Sequence, residues 1–471
     1  MGEKRQAIYD ATTLGKPKMA ILGLQHMFAM FGATILVPIL VNGYFQGEGL
    51  SVQVTLLFAG LGTLLFHVFS KFKVPAFLGS SFAFLGGFST VANLNTGKYA
   101  NMTYGEKLPY ACGGIVIAGL LYLVLAVVIK LVGVKKVMRF LPPVVTGPII
   151  MCIGLSLVPS AISNASANVF LAFVALAVVV IFNIWGKGMF RIIPILMGVV
   201  IAYVVALIMQ AIGFTNADGS AIINFEPIAQ ASWVGLPPFL IAKFDITSIF
   251  VMAPIAIATM MEHVGDISAI SATTGNNFIE DPGLHRTLFG DGLATAVAGL
   301  FGGPANTTYG ENTGVLELSK VYDPKVVRIA ACYAIVISFI PKISDVIGTM
   351  PTAIIGGISF ILYGMISAIG VRNVVENKVD FTKSRNLIIA AIILVSGLGF
   401  TNGITFGGSF HFFGFYAVMP YITLTPLAIA AILGILLNII LPGNDYNFGE
   451  NFKGDINRGV SFNNNAQDDE N

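Results

Sequence analysis

Two stretches hold the residues whose types and spacing point to chemistry. Ile255–Ile270, IAIATMMEHVGDISAI, places Glu262, His263 and Asp266 within five residues of one another. Asn306–Lys320, NTTYGENTGVLELSK, sets Glu311 directly after a Tyr-Gly pair. Their surroundings are strongly apolar, and an acid at the centre of a membrane-spanning helix costs roughly 2.5–3.5 kcal/mol, so such acids usually face a polar cavity. The plainer reading for any one of them is a helix end at the water interface. On a helix, Glu262 and Asp266 are four apart and share a face. Two carboxylates that close resist ionising together, so one of them can carry an exchangeable proton. His263, off that face, is expected to be a packed or interfacial histidine.

In TYGENTG the glycines Gly310 and Gly314 flank Glu311 and predict an extended backbone that turns into a helix. The free amides at such a start can bond a ligand carbonyl. A second such break lies at GSSF, where Ser80 and Ser81 are expected to cap a half-helix and Phe82 is placed to stack on a flat ring. Acceptors for ring N–H groups, donors for ring carbonyls and an aromatic face suit a small planar heterocyclic amide. No Gly-rich phosphate loop, metal-ligand cluster or Ser-His-Asp arrangement stands out, so neither an enzyme nor a cofactor is expected.

The elements that must position these residues are membrane segments. Of 471 residues, 55% are hydrophobic and 11% charged, with a mean hydropathy of +0.82, against about 25% charged in an ordinary soluble domain. A net charge of +2 implies no nucleic-acid partner. Cys112, Cys152 and Cys332 lie far apart and offer neither a disulfide framework nor metal-ligand spacing. With about 20 residues per crossing, fourteen segments are expected, starting near Ala20, Val54, Val74, Tyr110, Leu141, Val169, Ile193, Ile249, Leu288, Thr307, Val326, Met350, Asn386 and Ala417. The third and tenth are short and Gly-interrupted, and they occupy matching places in two halves of seven, a pattern that marks transporter sites.

With both termini inside, 22 of the 26 Lys and Arg fall in cytoplasmic stretches, leaving only Lys98, Lys107, Lys243 and Lys342 outside. Seven segments per half make the two repeats opposite in orientation. The division is therefore 1–19 (cytoplasmic N-terminus), 20–212 (first repeat), 213–247 (outer loop), 248–442 (second repeat) and 443–471, a solvated tail rich in Asn, Asp and Gly. The fold class is all-α polytopic membrane protein, in the cytoplasmic membrane, with the lipid bilayer as its surroundings.

The strings LQHMFAMFGATILVP, PAFLGSSFAF, EHVGD, EDPGLHR, NTTYGENTGV and LYGMISAIGVR, spread over about residues 16–440, resemble the nucleobase-ascorbate transporter (nucleobase:cation symporter-2) family, in particular its bacterial uracil permease branch. The resemblance implies a core of segments 1–4 and 8–11 moving against a gate of segments 5–7 and 12–14. It also implies short antiparallel strands in segments 3 and 10 and a homodimer formed through the gate. By motif, the substrate contacts would be Glu262, Glu311 with the Tyr309-Gly310 backbone, Phe82 with Ser81 beside it, Ala33 in FGAT and Tyr363 in LYG. Protons would be coupled through Glu262, Asp266 and Glu311.

Members resembling xanthine and urate carriers usually have Gln where this chain has Glu311, whereas uracil carriers have Glu. The usual uracil-carrier His one turn after Glu262 is replaced here by Asp266, an acid more familiar from purine-type members. The expectation is uracil:proton symport by alternating access. The alternatives are a purine (xanthine or urate) proton symporter and a sodium-coupled nucleobase symporter. Anion transporters share the architecture but require a positive site, and neither broken segment carries Lys or Arg before Lys320.

Overall fold

In this computed structural model the described residues are 7–216, 219–400, 403–412, 415–444 and 446. Lys4, Arg5 and nearly all of the expected tail, with Lys453 and Arg458, lie outside them. The helices that organise the molecule are α1 (Lys16–Tyr44), α2 (Val52–Phe69), α3 (Leu85–Ala92), α4 (Tyr104–Val132), α5 (Pro143–Ala165), α6 (Val169–Trp185) and α7 (Pro194–Ala211). They continue with α8 (Ile255–Thr274), α9 (Leu284–Leu300), α10 (Gly310–Ser319), α11 (Pro324–Ser338), α12 (Thr352–Glu376), α13 (Ser384–Gly399) and α14 (Pro426–Ile440). Among the described residues, seven helical stretches are long and apolar enough to cross a membrane: α1, α2, α4, α5, α7, α12 and α8 together with the short helix Ile246–Met252 before it. An eighth is α11 joined to Pro341–Gly348 across an 84° bend. The protein is a mostly helical, multi-pass membrane protein.

Local chemistry sets the ends of these helices. Thr103 and Glu106 close a reciprocal capping box at the start of α4. Gly275 ends α8 with φ 77°, in the left-handed region that favours glycine. Pro254 separates Ile246–Met252 from α8, so the segment that carries Glu262 enters in two pieces.

Among the described residues, four strands accompany the helices. β1 (Leu78–Ser80) and β2 (Asn306–Thr308) pair antiparallel, with Leu78 opposite Thr308, Gly79 opposite Thr307 and Ser80 opposite Asn306. β3 (Ile404–Phe412) and β4 (Phe415–Leu424) form an antiparallel hairpin between α13 and α14. This hairpin corrects one expectation. The fourteenth segment does not start near Ala417, which lies in β4; its helix starts at Pro426. Pro420 disfavours a helix interior, whereas Thr425 caps α14 by accepting from the Ala428 amide at 3.3 Å, with Pro426 in the first helical position.

Packing follows a repeated scheme. α2 packs on α11, and α9 on α4; α6 packs on α7, and α13 on α14; α12 packs on α6, and α13 on α5. α5 and α12 pack extensively on each other. Each pair is converted into another, or into itself, by adding or subtracting seven from the helix numbers. After the short helix Glu226–Gln230, the loop before α8 runs extended along other helix ends. Its Leu240 and Ala242 amides donate to Phe301 and Leu300, and its Lys243 amide donates to Pro109.

Small residues let these helices approach. A Cβ on Gly119 in α4 would come within 2.6 Å of the Gly292 carbonyl and the Ala296 amide of α9, while one on Gly43 in α1 meets nothing within 4 Å. Gly119→Leu is therefore expected to lose about 1–3 kcal/mol of stability. Gly43→Ala should stay within about 0.5 kcal/mol of the parent. Thermal unfolding of the detergent-purified protein compares the two.

Candidate functional site

The site is built on the β1–β2 pair. Beyond the three paired positions the ladder runs one bond further at each end: the Ser81 amide donates to the Ala305 carbonyl at 2.8 Å, and the Tyr309 amide to Phe77 at 3.0 Å. Side chains hold the strands from both sides. Thr63 Oγ1 of α2 accepts from the Leu78 amide at 2.9 Å, and Thr295 Oγ1 of α9 accepts from the Asn306 amide at 3.1 Å. Tyr309 Oη donates to the Ser80 carbonyl at 2.8 Å, while Ser80 Oγ donates to the Thr34 carbonyl of α1 at 2.8 Å. Only glycine fits opposite this tyrosine, because a Cβ on Gly79 would run into its ring.

From the two strands the chain leaves in opposite directions into half-helices. After β1, a 3-10 turn over Phe82–Phe84 leads into α3. After β2, Tyr309 precedes α10, whose first turn carries Glu311. A carboxylate there is favoured by the helix dipole. Gly310 is exposed and a Cβ on it would meet nothing within 4 Å, so the start of α10 opens onto free space.

The extended-then-helical backbone expected at both breaks is present, but the capping role expected of the serines is not. Ser80 lies in β1 and bonds Thr34. Ser81 occupies the position before the 3-10 turn, yet its side chain makes no capping hydrogen bond. Ser81 Oγ is buried without a hydrogen-bond partner among the described residues. A buried hydroxyl in that condition is a donor and acceptor left for something else.

α8 supplies the remaining acids. Glu262 and Asp266 are half-buried, as is Glu311; these three lie within electrostatic reach of one another, and Glu262 and Asp266 also of Asp291 on α9. His263 is fully buried, as expected of a packed residue, but it is not inert. Its Nδ1 lies 2.8 Å from Asp291 Oδ2 and 3.0 Å from Thr308 Oγ1, tying α8 to α9 and β2. Asp291 and the His26–Asn312 pair, with Asn312 Nδ2 donating to the His26 carbonyl at 3.0 Å, were missed in the sequence. The signal for Asp291 was available, since it is one more acid inside an apolar segment.

Phe82 is buried beside the Tyr363 ring of α12, edge to face with centroids 6.3 Å apart. Tyr363 and Ala33 are both completely buried, so neither offers surface to a ligand in this conformation. A cavity of about 160 Å³ does reach Glu311; Phe28, Asn183, Arg191, Gly314 and Met365 are among the residues that line it with the acid. Asn183 is the only strongly polar side chain in α6. Among the described residues no group of His, Cys, Asp and Glu is arranged to hold a metal ion.

A family model described as a permease family matches residues 17–406. The chain belongs to this permease family. A uracil permease of Bacillus caldolyticus is 39% identical to it over 451 residues, covering 93% of this chain and 94% of the relative. A probable uracil permease of Pasteurella multocida (strain Pm70) is 37% identical over 434 residues, covering 90% and 94%. Relatives of this kind bear out the motif resemblance to the nucleobase-ascorbate transporters and place this permease among transporters rather than enzymes. In fold, the permease is similar to the transmembrane domain of a cyanobacterium bicarbonate transporter, with a TM-score of 0.61 at 14% identity over 84% of this chain and 98% of that one.

The Tyr309 hydroxyl joins the two breaks of the permease. Tyr309→Phe leaves the Ser80 carbonyl without that bond, and is expected to cost about 1–3 kcal/mol, read as a lower unfolding temperature. An unchanged temperature would mean that the ladder holds without it.

Proposed function

We propose that the permease is a secondary active uracil:proton symporter of the cell membrane, working by alternating access. The observation that carries this reading is Glu311 in the first turn of α10, immediately after β2, in a chain 37–39% identical to relatives named as uracil permeases. Uracil is a flat ring with two N–H donors and two carbonyl acceptors. Glu262 and Glu311 are the acceptors for its N–H groups, the amides around Tyr309 and Gly310 with the Ser81 hydroxyl are donors for its carbonyls, and Phe82 is the ring platform. Ala33 and Tyr363 close the site from α1 and α12.

The fold we propose behind this chemistry has fourteen segments as two inverted repeats of seven, α1 to α7 and α8 to α14, with both termini cytoplasmic. The seven-step relation between packed helix pairs and the antiparallel pairing of β1 with β2 support it. The core is α1–α4 with α8–α11, and the gate is α5–α7 with α12–α14, through which two copies associate. In this orientation Arg191, before α7, is at the cytoplasmic end, so the cavity reaching Glu311 is the inner approach to the site.

Glu262, Asp266 and Glu311 form the proton-coupled group. Uracil binding supplies N–H donors to acids that share too few protons, and the loaded, protonated core then moves. An inward-negative potential adds about 2.3 kcal/mol per charge per 100 mV. Asp266, an acid where uracil carriers usually have His, supports a second reading as a xanthine or urate symporter, and also sodium coupling.

Purified permease in liposomes with an acid exterior is expected to accumulate labelled uracil, to lose it on adding a protonophore, and to ignore xanthine and urate as competitors. Transport of xanthine in place of uracil would establish the second reading. Dependence on sodium, seen when choline replaces it, would reassign Asp266. Glu311→Gln removes a charge-assisted acceptor worth about 1.5–3 kcal/mol, and is expected to weaken uracil binding about 10- to 100-fold. Unchanged uptake by that variant would remove Glu311 from the site.

A further inference from the structure

The chain does not leave the bundle where α14 ends. Arg385 of α13 donates through Nη2 to the carbonyl and side-chain oxygens of Asn438, at 2.8 and 2.7 Å. Asn438 Nδ2 in turn donates to the Arg139 carbonyl at 3.1 Å, just before α5. Gly443, at φ 84°, turns the backbone. Asn444 Nδ2 donates to the same Arg139 carbonyl at 3.3 Å, and Asn444 Oδ1 accepts from the Tyr446 amide at 3.3 Å. These bonds fix where the Tyr446 ring goes.

It goes between α8 and the helices of the other set. Tyr446 lines a cavity of about 10 Å³ with Met261, Val264 and Gly265 of α8, Thr146 of α5 and Asn373 of α12. Met261, Val264 and Gly265 are three and four apart and form one stripe. Glu262 and Asp266 each follow a member of that stripe by one residue, about 100° further round the helix. A volume of about 10 Å³ holds one water molecule at most. On the α10 side the cavity at Glu311 is about 160 Å³.

We propose that Tyr446 is the stopper of the α8 side of the cleft, closing that cytoplasmic approach to the carboxylates so that the transported base leaves past Glu311 and Arg191. The proposal rests on the transport reading, and gives the α14 tail a function in it. Seated between α8 and α5 with α12, the ring must leave its place whenever α8 slides along them. The ring thus directs release to one side.

Accessibility of a thiol in the stripe tests this without any substrate. Gly265→Cys is tolerated sterically, since a Cβ there meets nothing within 4 Å. Cys112 and Cys152 are buried, and Cys332 is removed as Cys332→Ser. In full-length protein of this background, Tyr446→Ala is expected to speed modification of the introduced thiol by a water-soluble maleimide about tenfold, following its exposure. Tyr446→Phe, which keeps the ring, should label as slowly as the parent. Equal rates for the parent and Tyr446→Ala would overturn the proposal, as would fast labelling of Tyr446→Phe. Because uracil is not in the assay, failure here is distinct from failure of the uracil reading.

Discussion

Everything at the centre of this protein depends on one constraint: backbone amides and carbonyls surrounded by hydrocarbon must find partners inside the protein. Two breaks in the helices create such groups, and the break at β1 supplies what the break at β2 lacks. Three residues on each side pair as β1 and β2, with one further bond at each end, and threonines from α2 and α9 satisfy the flanks. The breaks free two half-helix starts, and the one at Gly310 meets open space. Polar backbone is thereby left open at the start of α10.

Acids can then be kept there. Glu311 has the favourable end of a helix dipole and lines a cavity, while Glu262 and Asp266 remain half-buried. Asp291 is completely buried and has His263 against it. That pair reaches Thr308 on β2, so the acid-bearing helix and the strand ladder are parts of one polar framework. On the other side Asn312, next to Glu311, is anchored to His26 of α1. The residues adjoining Glu262 and Glu311 are thus tied to β2 and to α1.

Much of this was legible because the sequence is so apolar. Against that background Glu262, Asp266, Glu311 and the glycines and serines of GSSF and TYGEN stood out, and the structure places extended backbone and helix starts where the glycines implied them. What the sequence hid was partnership. Ser80 and Ser81 had the composition of caps, but the ladder uses the backbone of both, Ser80 bonds α1 and Ser81 is left unpartnered. His263 looked like packing because its partner Asp291 lies 28 residues further on. The β3–β4 hairpin escaped because AVMPYITL is apolar enough to pass for the start of a span, although Pro420 disfavours a helix interior there. Tyr446 carries no signal at all, since an aromatic in a polar tail acquires meaning only from the asparagines that place it.

Ser80 and its partner Tyr309 are 229 positions apart in the chain, and a ribosome delivers them in that order. Until β2 has been synthesised, the edge of β1 lacks its partner strand, and its unpaired backbone is too polar to rest alone in lipid. Insertion of this protein cannot be a simple succession of independent spans. The nascent chain needs either a protected place for the break at β1 or a late, concerted entry of both broken stretches, so completion of the strand pair and completion of membrane insertion coincide.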